Sequence, residues 1–379
     1  MRVAIVTESF LPSVNGVTNS VLRILDTFKQ RGYEALVIAP TRTSDKHNGY
    51  PVHQTVSVPF LQFPVAVPGP SIQRELDEFS PDVVHVAAPF MIGAQAIAWG
   101  YKNNVPVVAV YQTDLSGYIE RYGLSFARPV VDRMMASIHE KADINLAPTA
   151  EAADYLKDIG VRNVGVWGRG VDLDLFNPHH KNSEEVKALK KRIAPNGETI
   201  IGFVGRLAAE KQVHRMSELF GLKNTRFVIV GDGPERSRLE SQFRGNGVYF
   251  AGRKTALDLA HHYAALDIFV HFGTEETFGQ TIQEAQASGL PVVAPNVGGP
   301  KFLIQDGISG LLANPEGQGG YQRLVRSLLE DRKLRDKMAV SARAAVGSKS
   351  WEANNAKLIG FYQQAIDEMA TKVARIELA

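Results

Sequence analysis

Short, uninterrupted apolar runs recur along nearly the whole chain and limit its fold more than any other feature. They are rich in β-branched residues, and stretches with helical spacing of apolar residues stand between them. Continuous rather than alternating hydrophobicity indicates strands that are covered on both faces, as in parallel βαβ units. The pattern therefore predicts a doubly wound α/β fold. The runs lie at 2–7, 34–40, 81–87, 105–111, 199–205, 226–233, 267–272 and 291–295.

The chain length and one polar interruption indicate two domains. At 379 residues the chain exceeds what one ordinary hydrophobic core accommodates. Between residues 172 and 198, proline, asparagine, histidine and lysine separate two strand-rich halves, and each half begins with a strand, a loop and a helix. We predict two Rossmann-like domains with a ligand site in the cleft between them. The predicted boundaries are 1–172 for the first domain, 173–198 for a linker, 199–350 for the second domain and 351–379 for a C-terminal helix that packs back across the domains.

The composition excludes several classes of protein. The 42 basic and 40 acidic residues nearly balance, so nothing calls for a nucleic-acid partner. The absence of cysteine excludes a disulfide framework, a cysteine nucleophile and thiolate zinc sites. No apolar run reaches the ~20 residues of a membrane span, and the first ten residues are expected to belong to the fold. We expect a cytoplasmic protein, with contact to the inner face of the membrane left open.

Two loops that follow predicted strands suit phosphate groups. Gly16 stands where a helix begins, and its lack of a side chain would let an anion reach the free amides. A glycine that serves only a tight turn is the alternative. Arg206 and Lys211 are five residues apart at a strand end, where a forked cation and a point charge are expected to converge on one diphosphate. The alternative for this pair is a solvated surface.

Two other patterns do not predict a cofactor. Gly231 and Gly233 follow a predicted strand, but Arg236 occupies the position of the third glycine of the NAD fingerprint. We therefore expect a tight strand-to-helix turn. Asp172 and Asp174 resemble a metal-binding acid pair but lie in the predicted linker, so no metal site is predicted there.

Two acids eight residues apart mark the strongest candidate site. Glu276 precedes a predicted helix and Glu284 lies within it, so a rise of 1.5 Å per residue separates them by roughly 10–12 Å. Carboxylates accept hydrogen bonds from vicinal hydroxyl pairs, and amides at a helix start suit phosphate or sugar oxygens. The alternative is one acid that complements the helix dipole and another on a solvated face. The candidate binding residues at the helix start are Thr277, Phe278, Gly279, Gln280 and Thr281.

Four motifs together carry a family resemblance. They are NGV at 15–17, WGRGVDLDLFNP at 167–178, GRLAAEK at 205–211 and EETFGQTIQEAQASGLPVVA at 275–294. Over nearly its whole length the chain resembles retaining glycosyltransferases of family 4, whose GT-B fold has two Rossmann-like domains facing each other across a cleft. Within that family it is most similar to bacterial GDP-mannose-dependent α-mannosyltransferases that act on glycolipids, and next to sulfoquinovosyl-diacylglycerol synthases.

The resemblance implies how the departing diphosphate is held. Arg206 and Lys211 would neutralise it, and Gly16 would present a backbone amide to it. With these fixed cations, no metal or other cofactor is expected. Because family members retain the anomeric configuration and no nucleophile is evident here, we expect front-face displacement, in which the leaving phosphate accepts the acceptor's proton.

The resemblance also implies how the rest of the donor is held. Glu276 would hold the donor sugar, and Glu284 would hold the ribose hydroxyls. Arg253 and Lys254 would lie beside the base. Glu276 is therefore a catalytic as well as a binding candidate.

One departure from the family concerns residue 112. Many relatives carry a histidine after the fourth strand, in a Tyr-His-Thr context, where this chain has Gln112. Glutamine can bond a sugar hydroxyl but cannot act as a general base. Gln112 stays a catalytic candidate, while any proton-transfer role of the family histidine would pass to Asp114, which is also a binding candidate.

The acceptor is expected to bind the first domain. Residues 56–71 are apolar and proline-rich, and residues 115–141 combine Arg121, Arg128 and Arg133 with aromatic residues and methionine. Basic side chains beside aromatic ones suit a membrane interface and a lipid acceptor. An ordinary loop and a packed helix explain the same residues about equally well.

The predicted function is transfer of a hexose, with mannose favoured, from GDP-mannose to a glycolipid or lipid-linked acceptor. One alternative is a UDP-sugar-dependent transferase that moves sulfoquinovose or glucose to diacylglycerol. A nucleotide-sugar epimerase or a phosphorylase would fit the same architecture. A catalytically silent nucleotide-sugar-binding protein is the remaining alternative, because Gln112 replaces the family histidine.

Overall fold

The computed structural model describes residues 1–60, 63–112, 126, 128–276, 278–317 and 319–377, without the side chains of residues 59, 60, 63, 64, 376 and 377. The described residues form two compact units. The first unit comprises Met1–Arg169 and the chain from Trp351 onward, and the second comprises Gly170–Ser350. Each unit is built on a sheet of mainly parallel strands.

The strands are short, and eight of the sixteen in the described residues overlap the eight apolar runs of the sequence. Those of the first unit are β1 (Arg2–Val6), β2 (Glu34–Ala39), β3 (Lys46–His47), β4 (Tyr50–Gln54), β5 (Ser57–Phe60), β6 (Phe63–Ala66), β7 (Val83–Val86), β8 (Val107–Val110), β9 (Ile144–Ala147) and β10 (Val164–Val166). Those of the second unit are β11 (Thr199–Val204), β12 (Thr225–Val230), β13 (Val248–Gly252), β14 (Ile268–Val270), β15 (Val292–Pro295) and β16 (Gly310–Ala313).

Helices stand between most of the strands. They are α1 (Gly16–Arg31), α2 (Pro70–Phe79), α3 (Met91–Asn103), α4 (Arg128–His139), α5 (Ala150–Asp158), α6 (Glu184–Ile193), α7 (Arg236–Gln242), α8 (Ala256–Ala265), α9 (Gln280–Ala287), α10 (Gly298–Leu303), α11 (Gly320–Glu330), α12 (Arg332–Val346) and α13 (Trp351–Glu377). Short 3₁₀ turns lie at Pro178–Asn182, Ala209–Lys211 and Val213–Leu219. None of the helices in the described residues has the length and apolar character that crossing a membrane requires.

The first unit has an eight-stranded sheet in the order β10-β9-β8-β7-β1-β2-β4-β3. Its neighbouring strands are parallel apart from the β3–β4 pair. Val3 and Ile5 of β1 face a core that includes α1 and α13, whereas Ala4 and Val6 face a core that includes α2 and α3. Covering both faces in this way explains why the strands are apolar throughout.

The sequence explains why α1 begins and ends where it does. The Asn15 side chain accepts hydrogen bonds of 3.0 Å from the amides of Val17 and Thr18, which caps the first turn. Gly32 ends the helix in the left-handed conformation, with a φ of 67°. Between these caps, an apolar stripe that includes Ile24 and Phe28 is buried against the sheet. The capping residues and the buried apolar stripe therefore indicate the same helix.

The C-terminal helix α13 contributes to the core of the first unit. Leu358, Tyr362 and Ala365, which recur at helical spacing, are buried there. The Tyr362 hydroxyl lies 2.9 Å from His85 Nδ1 in β7, and the Trp167 indole donates a 3.0 Å hydrogen bond to the Asn354 carbonyl. Burial of each large apolar side chain contributes about 1.5–3 kcal/mol, so α13 is an integral part of this unit.

The second unit has a six-stranded, fully parallel sheet in the order β13-β12-β11-β14-β15-β16. One face packs against α6, α8 and α9, and the other packs against α7, α11 and the turn Val213–Leu219. Residues 173–198, predicted as a linker, contain α6. Its Val186 and Leu189 are buried in the core of the second unit, because they recur on one face of the helix.

Candidate active site

The strand order of the second unit brings the main candidate residues to one place. β11 and β14 are neighbours in the sheet. The strands that follow β11, which are β12 and β13, lie on one side of this pair, and those that follow β14, which are β15 and β16, lie on the other. Such a switch point leaves a crevice outside the carboxyl ends of the two strands, where open α/β sheets bind their ligands. The loop after β11 carries Arg206 and Lys211, and the loop after β14 carries Glu276. The structure therefore unites three of the predicted residues.

Glycines allow the loops at this edge to approach closely. A Cβ atom on Gly231 would lie 1.9 Å from the carbonyl oxygen of Gly205, and the φ of Gly231 is +139°. A Cβ atom on Gly233 would lie 2.4 Å from the Leu207 carbonyl oxygen. The turn after β12 therefore fixes the loop that carries Arg206, and it is the tight strand-to-helix turn that the sequence predicts.

Both cations of the site contact carboxylates. Lys211 Nζ lies 2.5 Å from Glu276 Oε2, and both side chains are largely buried, with exposed fractions of 23% and 15%. Arg206 Nη2 lies 2.6 Å from Glu210 Oε1, and the Arg206 side chain is half exposed. An exposed ion pair contributes little to stability, so Arg206 can exchange its partner for a phosphate at small cost. A phosphate at Lys211 would compete with Glu276.

His271 lies beneath this ion pair and was not identified from the sequence. It follows β14, is 1% exposed, and its Nε2 lies 3.8 Å from Glu276 Oε2. Burial lowers the pKa of His271 to about 4, against the opposing effect of the Glu276 charge. The ring is therefore neutral at physiological pH and does not add a second positive charge beside Lys211. A lone histidine inside the apolar run 267–272 was the available signal.

Glu284 is held by a tyrosine that the sequence did not single out. The Tyr263 hydroxyl donates a 2.8 Å hydrogen bond to Glu284 Oε2. Tyr263 is fully buried, and burial, together with the Glu284 charge, raises its pKa well above the usual value. Tyr263 therefore remains a donor, which fixes the orientation of a carboxylate that is itself only partly buried.

The start of α9 has the features of an anion-binding helix end. Gly279, with a φ of 98°, precedes the helix, and none of the described side chains caps its first turn. Phe278 is buried and anchors the turn, and the Gln280 side chain donates a 3.0 Å hydrogen bond to the Gly170 carbonyl. Thr281 lies in the first helical turn. Thr277 lies outside the described residues.

Arg253 and Lys254 also lie at the carboxyl ends of the strands, but beside the outermost strand of the sheet. They follow β13, which is separated from β14 by β12 and β11. Arg253 is exposed, and Lys254 Nζ lies 3.0 Å from Asp258 Oδ2. Their position is compatible with the base of a nucleotide that extends along the edge.

In the first unit, Gly16 lies against a cation. A Cβ atom at Gly16 would come within 2.2 Å of Arg169 Nη1, so a side chain at residue 16 would displace this guanidinium from its position beside the helix start. Asn15 already accepts from the amides of Val17 and Thr18. Arg169, within the WGRG motif, was not identified as a site residue from the sequence. Its positive charge adds to that of the helix start.

Gln112 and Glu8 lie at the carboxyl ends of the central strands of the first unit. Gln112 follows β8 and is 7% exposed. Glu8 follows β1 and accepts a 3.1 Å hydrogen bond from the Gly93 amide at the start of α3. Sequence reasoning missed Glu8, although an acid directly after an apolar strand was a usable signal. Asp114 and Arg121 lie outside the described residues.

The environment of Glu8 predicts a pH-dependent stability. Burial raises its pKa from 4.5 to about 7, although the amides of Gly93, Ile92 and Met91 favour the ionised form. Between these values the folded chain binds more protons than the unfolded chain, so stability falls as pH rises, by up to about 3 kcal/mol in total. Urea unfolding should show the Glu8→Gln variant gaining stability relative to the parent chain from pH 5 to pH 8. A difference that does not change with pH would refute this assignment.

Comparison with known proteins gives matches over both units. Residues 14–175 match the family model described as Glycosyltransferase Family 4, and residues 185–345 match the model described as Glycosyl transferases group 1. A Mycobacterium tuberculosis protein named GDP-mannose-dependent alpha-mannosyltransferase is 40% identical over 383 residues, covering 99% of each chain. The Sulfoquinovosyl transferase SQD2 of Arabidopsis thaliana is 29% identical, covering 94% of this chain and 72% of that protein.

Among solved structures, the fold is similar to that of Anabaena Alr3699/HepE in complex with UDP. The TM-score is 0.81 at 20% identity, over 96% of this chain and 100% of that chain. At this level of identity the similarity concerns the fold.

Proposed function

Since the chain belongs to the glycosyltransferases, with a family 4 region followed by a group 1 region, we propose that it moves mannose from GDP-mannose to a glycolipid or lipid-linked acceptor. The predicted fold class, α/β with two Rossmann-like domains of GT-B type, is confirmed by the parallel sheets and the structural neighbour. The predicted enzyme class is confirmed by the family. The donor and the acceptor are the parts that we propose.

The observation that carries the proposal is the convergence of Arg206, Lys211 and Glu276 at the switch point of the second unit. Two cations suit a diphosphate, and a carboxylate beside them suits a sugar hydroxyl. GDP-mannose is favoured because the mycobacterial relative with that donor in its name is 40% identical over the full chain. The sulfoquinovosyl transferase is more distant, at 29%, so the UDP-sugar alternative has less support.

The geometry supports a mechanism in which the leaving group is stabilised electrostatically. The bond between the anomeric carbon and the phosphate oxygen breaks, and the acceptor oxygen forms its bond on the same face of the sugar. The acceptor's proton passes to the leaving phosphate. Lys211 would exchange Glu276 for the phosphate as negative charge develops, which frees Glu276 to accept from a sugar hydroxyl. This sequence of events retains the anomeric configuration.

We expect turnover to be independent of divalent metal. Arg206 and Lys211 provide the positive charge that a metal ion provides in other phosphate-transfer sites. Transfer of mannose should therefore continue at an unchanged rate after dialysis against EDTA. Loss of activity on dialysis that returns with added Mg²⁺ or Mn²⁺ would contradict this expectation.

One helix face of the first unit suits a membrane surface. Along α4, Val130 and Met134 are 71% and 40% exposed, and the exposed Arg133 lies on the same face. Phe126, just before the helix, is 80% exposed. Apolar side chains flanked by a basic one favour an interface with anionic lipid. We propose that α4 contacts the membrane on which the acceptor resides.

Flotation with vesicles tests this contact. The Val130→Asp, Met134→Asp double variant should bind vesicles that contain phosphatidylglycerol at least about thirtyfold more weakly, because it removes two apolar contacts that are each worth over ~1 kcal/mol. The control is Val340→Asp, which changes a valine that is 73% exposed on α12. Equal flotation of the double variant and the parent chain would exclude the contact.

Two assays test the donor and the reaction together. A thermal-shift series with GDP-, UDP- and ADP-sugars should give the largest shift with GDP-mannose, because binding to the folded state raises the melting temperature. Transfer of labelled mannose to a lipid extract then separates a transferase from an epimerase. A shift without transfer or donor hydrolysis would instead support the silent binding protein.

A further inference from the structure

A small cavity lies at the switch point of the first unit. β1 and β7 are neighbours from which the chain runs in opposite directions, and β8 lies next to β7. At the carboxyl ends of these strands the described residues enclose a cavity of about 140 Å³. Its polar lining includes Glu8 and Gln112, and Phe90, Tyr111 and Met135 provide much of the remaining wall. We call it the Glu8–Gln112 pocket.

The Gln112 side chain indicates that the pocket receives a polar ligand. The residue is 93% buried (7% exposed), and neither Oε1 nor Nε2 has a hydrogen-bond partner within the described part of the chain. Buried polar groups are satisfied in the large majority of cases, because leaving them unpaired is unfavourable. An amide that lines a cavity offers a ligand one donor group and one acceptor.

Glu8 is held in a fixed position on the wall of the same pocket. Its Oε1 accepts the 3.1 Å hydrogen bond from Gly93, in the first turn of α3. Gly93 reaches this position only without a side chain, because a Cβ atom there would lie 2.5 Å from the Ala88 carbonyl oxygen. The carboxylate is therefore attached to a rigid helix end and does not depend on a mobile loop.

The size and lining of the pocket define the ligand. Pockets for drug-sized molecules span ~300–1,000 Å³, so a cavity of about 140 Å³ suits a group smaller than a nucleotide. A carboxylate and an amide among apolar walls suit a ring with several hydroxyl groups and an apolar C–H face. Carboxylates and amides both bond hydroxyl groups directly.

We propose that the Glu8–Gln112 pocket binds the hydroxyl groups of a sugar ring, and that Glu8 is a binding residue of the transferase. The proposal rests on the proposed function, since a sugar transferase handles two such rings. One is the transferred sugar, and the other is the ring of the acceptor. Glu8 accepts a hydrogen bond from one hydroxyl, and the Gln112 amide bonds a neighbouring one.

Steady-state kinetics of Gln112→Leu and Glu8→Gln test the proposal. Both substitutions keep the approximate size of the side chain. Each should raise one KM about tenfold, in line with a lost hydrogen bond. A raised KM for the acceptor alone places the acceptor ring in the pocket, and a raised KM for the donor alone places the transferred sugar there. Unchanged KM values for both substrates in both variants would overturn the proposal.

A merely structural role for these residues would give a different pattern. Gln112→Leu removes an unpaired buried amide, so we expect its melting temperature to be unchanged or higher while KM rises. A structural role would lower the melting temperature and leave KM unchanged. The control is Gln95→Leu, because Gln95 lies on the same helix as Gly93 and bonds the Gly69 backbone through 2.9 and 2.8 Å contacts. This control should lose stability and keep both KM values.

A binding measurement separates failure of this inference from failure of the proposed function. Saturation-transfer NMR with methyl α-D-mannopyranoside requires no turnover. A signal from the parent chain that is lost in Gln112→Leu and in Glu8→Gln supports the pocket, even if no GDP-mannose transferase activity is found. A signal that is equal in all three proteins, or absent from the parent chain, overturns it.

Discussion

Replacement of Lys211 by methionine is expected to lower turnover by on the order of 10²–10³-fold, the cost of removing one preorganised group that stabilises charge in the transition state. Methionine keeps the apolar stem of the lysine but removes the ammonium group. It also leaves the Glu276 carboxylate, 2.5 Å from the lost Nζ, without this cation. The remaining negative charge would repel the departing diphosphate, so both effects act in the same direction.

A surface lysine provides the control for this variant. Lys187 Nζ lies 2.7 Å from Glu184, and its side chain is 57% exposed. The Lys187→Met variant should therefore keep full activity. The expected loss at Lys211 concerns the chemical step. Both kcat and the rate constant of a single turnover should therefore fall. A Lys211→Met enzyme with near-normal kcat would exclude the assigned role.

Replacement of Glu284 by glutamine is expected to raise the KM for the donor by about 10–10²-fold, with little change in kcat. Hydrogen bonds to a charged group contribute about 1.5–3 kcal/mol. The proposed ribose contacts are the same in the ground state and in the transition state, so their loss weakens binding without slowing the chemical step. Tyr263 can still donate to the glutamine oxygen, so the fold should be preserved.

A donor analogue makes this test specific. GDP-mannose that lacks the ribose 2′-hydroxyl should bind the parent enzyme more weakly but should bind Glu284→Gln about as well as the complete donor does. Such non-additivity is expected only where the two changes remove one shared contact. Independent losses, or a fall in kcat at unchanged KM, would show that Glu284 acts elsewhere.

Much of the fold follows from local patterns. Continuous apolar runs predict β1, β2, β11 and β12, because a strand that is covered on both faces has apolar side chains at successive positions. The helix α1 follows from Asn15, Gly32 and the apolar spacing between them. The order of the strands within each sheet cannot be predicted from such local patterns, since it depends on which long-range pairings bury the most surface.

The candidate site was predictable where its residues lie at strand ends. Arg206, Lys211 and Glu276 follow two parallel strands, and the carboxyl ends of such strands share one edge. Their pairing partners were not predictable in the same way. Tyr263 lies in a helix between these loops, and Glu8 contacts an amide 85 residues away. Only the packed structure brings such groups together.

The central claim is that the loops after β11 and β14, together with α9, bind the activated sugar. A crystal structure of the full chain with GDP-mannose tests it most directly. We predict diphosphate oxygens within hydrogen-bond distance of Arg206 and Lys211, and ribose hydroxyls within that distance of Glu284. A nucleotide bound away from these three side chains would contradict the account.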